Sequence, residues 1–142
     1  MRMSDQLKAI LPVYIPRLTV LLDRLDVALA GISTGQSGME VSWSLDHEVQ
    51  ELISTSKRVK IYFANEVGGH FINFLVGLRS VPVIAPGHLA HARGYLDLLR
   101  DYVAACASTL DFDDSDYTRK FHLLMLRERE EIARLSRERA AS

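Results

Sequence analysis

The chain has 142 residues, of which 48% are hydrophobic and 25% charged, with a formal net charge of -1 at pH 7. That balance suits one globular domain with its own core, and it excludes extended disorder and any global attraction to nucleic acid or an anionic membrane. The one cysteine, Cys106, excludes an intramolecular disulfide and a cysteine-rich zinc site, and it suits a reducing compartment.

The N-terminal Met-Arg-Met-Ser-Asp-Gln lacks the basic-then-apolar layout of a signal peptide. The most apolar stretch, Val67 to Pro86, is interrupted by His70, Arg79, Pro82 and Pro86, whereas a membrane span needs about 20 predominantly apolar residues. It reads as buried core, and the expected location is cytoplasmic. Arginine far outnumbers lysine, as in a GC-rich bacterial coding sequence.

Spacing predicts an all-α fold, a bundle of four main helices in one domain over 1–142. In the first segment Leu7, Leu11, Tyr14, Leu18, Leu21, Leu25, Ala28 and Ile32 recur at alternating steps of four and three, which is one apolar helical stripe. Pro12 and Pro16 remove backbone donors, so residues 1–15 are expected to be loosely ordered, with a firm helix from about Pro16. The Gly- and Ser-rich stretch Gly31 to Gly38 reads as a loop.

Helix two is expected to open with Ser44 as its N-cap and to carry Leu45, Val49, Leu52, Ser56, Val59 and Phe63 on its inner face. It runs as far as Leu78, with a kink or split at Gly68-Gly69, where each glycine costs roughly 1 kcal/mol relative to alanine. From His70 to Val76 it is apolar around most of its circumference, the mark of a central helix or one covered by another subunit. Gly69, Asn73 and Gly77 form a small-residue face on which a neighbouring backbone can come close.

Arg79 to Gly87 is a connector, and Pro86 suits the first turn of helix three, with Leu89, Ala92, Leu96, Leu99, Val103, Cys106 and Leu110 on its stripe. The acidic loop Asp111 to Asp116 lacks the glycine and glutamate of a calcium-binding EF-hand and reads as a helix-capping turn. Helix four begins apolar at Phe121, Leu124 and Met125. Over 127–142 it becomes a charged run with only Ile132 and Leu135 keeping the stripe, so that end is expected to project or to dock on something.

No Gly-x-Ser-x-Gly, Walker loop, dinucleotide fingerprint or His-Glu-x-x-His occurs. Cys106 lies on an apolar stripe and reads as a buried structural thiol. His88 and His91, three apart, face one way on helix three, and Glu66 and His70 share a face of helix two. With Tyr95, these groups offer a small-ligand or metal site in which His70, His88 and His91 are the metal ligands, but scattered histidines are more often structural than convergent. Arg127, Arg129, Arg134, Arg137 and Arg139 offer phosphates a face, yet interleaved glutamates, with Glu130 expected to pair with Arg134, argue for a solvated helix. Without a catalytic constellation or a required cofactor, the first expectation is a non-catalytic assembly protein partnered by itself or by another protein. Its expected interface is Phe71, Phe74 and Leu78 on helix two with Leu124, Ile132 and Leu135 on helix four. A ligand- or metal-binding bundle, enzymatic or not, and a nucleic-acid accessory factor using the arginines of helix four are the alternatives.

Overall fold

The computed structural model describes residues 5–58, 62–108 and 115–141. Among these residues the chain forms five helices and no strand: α1 (Asp5–Ala30), α2 (Gly38–Arg58), α3 (Tyr62–Leu78), α4 (Pro86–Ser108) and α5 (Ser115–Ala141). No helix among them is long and apolar enough to cross a membrane.

Helices α1 to α4 run alternately up and down and close into a four-helix bundle, each touching the next and α4 returning to α1. The inner faces carry the expected stripes. Leu18, Leu21 and Leu25 of α1, Leu45, Val49 and Leu52 of α2, and Leu96, Leu99 and Val103 of α4 are all buried. Cys106 is buried with them, as its stripe position requires. Across α1 and α4, Arg93 binds Asp26 at 2.6 Å, and Arg100 bridges Asp23 at 2.8 Å and Asp26 at 3.1 Å.

The first helix begins at Asp5 rather than near Pro16, and it passes through both prolines. Pro12 and Pro16 stand one turn apart on the exposed side, where water can satisfy the carbonyls they leave without donors, while Tyr14 and Ile15 between them pack against the core. The second helix also starts earlier than Ser44. Ser37 is its cap: the Glu40 backbone N–H donates to Ser37 Oγ at 3.2 Å, and that hydroxyl meets Glu40 Oε1 at the same distance. Ser37-x-x-Glu40 is thus a capping signature. Ser44 sits inside the helix and donates its hydroxyl to the Glu40 carbonyl at 2.8 Å.

The expected long helix is two helices, but they part between Arg58 and Tyr62 and not at Gly68-Gly69. Gly68 lies buried in the middle of α3, where a Cβ would stand 2.7 Å from Ile53 of α2. The glycine serves a close helix–helix approach, which outweighs its low helical propensity. The Asn65 side chain ties the same crossing, donating to the Ile53 carbonyl at 3.3 Å. Val59 and the acidic residues Asp111 to Asp114, with Leu110, lie outside the described residues.

Helix α5 is a fifth element laid over α3 and α4. Its apolar face begins with buried Phe121, and Gly94 of α4 lets Leu124 close in, a Cβ there falling 2.8 Å from Leu124. The apolar girth of α3 follows from this arrangement, because α2, α4 and α5 all lie against it.

Candidate functional site

At the end of the molecule where α3 finishes and α4 begins, α5 does not close on its neighbours. A cleft of about 950 Å³ opens between the last turns of α3, the connector 79–85, the start of α4 and the second half of α5. Its apolar walls include Phe74, Leu78, Val81, Ile132 and Leu135. Asn73, Gly77, Ala85 and Ala133 are too small to fill the space. The connector cannot collapse into it, because it is bonded to the loop preceding α2. Gly35 N–H donates to the Ile84 carbonyl at 3.1 Å, Ile84 N–H to Gln36 at 2.8 Å, and Gly38 N–H to Val81 at 2.9 Å. Gly35 adopts the left-handed φ of 99° that this turn demands, and Ile84 is buried beneath it.

Behind the cleft wall two buried side chains of α4, Tyr95 and His91, meet the wall residue Glu128. This residue occupies a stripe position of α5, between Met125 and Ile132, and so faces inward. Tyr95, fully buried on α4 and stacked on Phe71 with ring centroids 5.0 Å apart, donates its hydroxyl to Glu128 Oε1 at 2.8 Å. His91, one turn earlier, is buried and places Nε2 3.5 Å from the same oxygen, ion-pair range but without a well-aligned hydrogen bond. The His91 ring meets Tyr95 edge-on at 5.3 Å and Phe74 at 5.2 Å.

The electrostatics follow from this geometry. Burial pushes the Glu128 carboxyl upward, but the nearby His91 imidazole and the Tyr95 hydroxyl outweigh it, and the net displacement is below the ordinary glutamate value. The Tyr95 phenol is driven above its usual range, first by burial and then by the carboxylate it bonds. Glu128 is thus held as an anion on the wall of a mainly apolar cleft.

The expected site residues divide into three groups. Phe71, Phe74 and Leu78 are buried in the bundle, and of the three only Phe74 and Leu78 line the cleft. Leu124, Ile132 and Leu135 are half-buried against the body of the protein, and the charged end of α5 rests on the start of α4 at least as far as Leu135. Of the expected ligand or metal groups, His91 and Tyr95 meet at Glu128, and His70 lines the cleft with its ring 5.1 Å from Phe121. His88 also lines it, but its Nδ1 accepts the Ala85 N–H at 3.0 Å and caps α4. Glu66 is exposed. Among the described residues no three His, Cys, Asp or Glu side chains are grouped to hold a metal ion, so the set of His70, His88 and His91 is not assembled as one. Arg134 pairs with Glu131 rather than Glu130, and this pairing holds the Glu131 carboxyl below its usual range.

Glu128 was hidden in the charged run of helix four. Its signal is positional, a single acid on the Phe121–Leu124–Ile132–Leu135 face. The small-residue face Asn73–Gly77 does not receive a backbone; it forms part of the cleft wall instead. The chain matches no protein-family model, no curated protein and no solved structure with which it was compared.

Proposed function

We propose that this protein is a small-molecule-binding helical bundle, whose ligand lies in the cleft between α3, the connector and α5 with an apolar body against Phe74, Leu78 and Ile132. The observation that carries the reading is the cleft itself. About 950 Å³ of mostly apolar, pre-formed space with a few inward polar groups has the size and character of a ligand site. The cleft is open to solvent, and its apolar walls are where the apolar body of a ligand would be taken out of water. A neutral apolar dye such as Nile red tests it directly. Gly77 lines the cleft, and a Cβ built on it meets nothing within 4 Å, so Gly77→Trp has room to attach a bulky ring at the cleft. Saturable dye binding lost in Gly77→Trp supports the reading; no binding, or binding untouched by the substitution, removes it.

Self-assembly is a second reading, supported by a different surface from the one expected on sequence grounds. Val13, Val20 and Val27 lie seven residues apart along the outer face of α1, 71%, 48% and 74% exposed, and Trp43 of α2 is 70% exposed. Such residues are unusual on a monomer's surface when they recur along one stripe. Sedimentation at rising concentration tests it: a dimer dispersed by Val20→Glu supports assembly, and a monomer throughout discards it.

A further inference from the structure

Resting on the cleft reading, we infer that the ligand is an amphiphile with an ammonium or similar cationic head, which it seats on the carboxylate of Glu128. The cleft has two charged groups on its walls, Glu128 and Arg129, and they are not equivalent. Arg129 is exposed, and a charge in water attracts a partner only weakly because solvent screens it. The Glu128 side chain is 26% exposed and stands beside Phe74, His91 and Tyr95, where the same charge acts at lower effective dielectric.

The surroundings of Glu128 leave one half of its carboxylate open. Tyr95 and His91 both address Oε1, whereas no described residue donates a hydrogen bond to Oε2, which is open to water or to a ligand. No lysine or arginine among the described residues lies within ion-pair distance of either oxygen. This carboxylate lies on a mainly apolar wall with the Tyr95 phenol as its nearest donor, and the one described side chain near it that can carry positive charge, His91, stands 3.5 Å from Oε1 and makes no contact with Oε2. An N–H donor bearing positive charge forms a charge-assisted hydrogen bond with the open oxygen. A carboxylate or phosphate head at this place meets like charge instead. The apolar tail then extends along Leu78, Val81 and Ile132 toward the connector.

The test uses three ligands of one chain length, decylammonium, decanol and decanoate, titrated calorimetrically into the full-length protein below their aggregation concentrations. Decylammonium is expected to bind about tenfold tighter than decanol, the value of one hydrogen bond to a charged group, with decanoate weakest. In Glu128→Gln the ammonium-to-alcohol ratio is expected to fall toward one. Decanoate binding best would assign the pole to Arg129, and a preference for ammonium that survives Glu128→Gln would place the cation elsewhere; either outcome overturns the inference. Decanol binding with no charge preference overturns the cationic head alone and leaves the cleft reading standing. No binding by any of the three defeats both. If Glu128→Gln fails to fold, Glu128→Ala takes its place, with the same loss of ammonium preference expected and a surviving preference overturning the inference.

Discussion

The two ends of the α3–α4–α5 layer are built from the same helices and finish in opposite ways. Toward the N-terminus of α3 the space is closed by rings: Phe63 stacks on Tyr102 at 4.5 Å and meets Phe121 edge-on at 6.2 Å, and Tyr117 meets Tyr102 edge-on at 5.4 Å. Toward the C-terminus of α3 the corresponding places hold Asn73, Gly77, Ala85 and Ala133, and a cleft remains. Between the two runs a belt of Phe71, Phe74, His91 and Tyr95, where the chemistry changes from dry to polar. Helix direction and hydrophobic spacing are the same at both ends. Side-chain volume decides which end is sealed, and the sealed end makes the open one tolerable by anchoring α5.

If that contrast is right, the largest loss comes from the belt and the sealed end. Phe71→Ala removes a fully buried ring and is expected to cost about 3–5 kcal/mol in urea unfolding, with Phe121→Ala close behind. Ile132→Ala, on the half-buried cleft wall, is expected to cost clearly less than either. Equal losses at the two ends would show that the cleft closes in solution.

Next in size is Tyr95→Phe, which deletes the hydroxyl bonded to Glu128 without emptying the ring's place. The expected loss is about 1.5–3 kcal/mol, the range for a hydrogen bond to a charged group. A change near zero would mean that water readily replaces the phenol and that the belt is wetter than its burial implies.

A smaller effect is expected on acidification. Because the Glu128 carboxyl is displaced below its ordinary value of 4.5, its contribution to stability is present above that value and is lost as the pH falls through the lower folded value. Urea midpoints of the natural chain should therefore drop more steeply below about pH 4.5 than those of Glu128→Gln. Parallel profiles would remove Glu128 from the acid response. The smallest effect belongs to Gly77→Trp, whose unfolding midpoint is expected to shift little, within the roughly 0.5 kcal/mol of an ordinary surface change, although it attaches a bulky ring at the cleft. A severe loss there would mean that the end of α3 cannot carry a large side chain.

Helical class and facing were legible in the sequence because they are local. The four-three recurrence of Leu18, Leu21 and Leu25, or of Leu96, Leu99 and Val103, places side chains on one face whatever the helix meets, and those residues are core. The Ser37-x-x-Glu40 cap stands in the sequence seven residues before Ser44, the serine expected to cap the helix. The chain by itself also implied that α3 is central, from its apolar girth, without indicating what surrounds it. Tertiary structure decided the rest. Gly68 is a helix interior only because Ile53 arrives against it, and α1 continues through Pro12 and Pro16 on a side left to water. Glu128 became the centre of the candidate site only when Tyr95, 33 residues earlier, was brought to 2.8 Å from it. Periodicity reports which way a side chain points. A cleft is the volume that side chains from three helices fail to fill, and that sum exists only once the helices are placed.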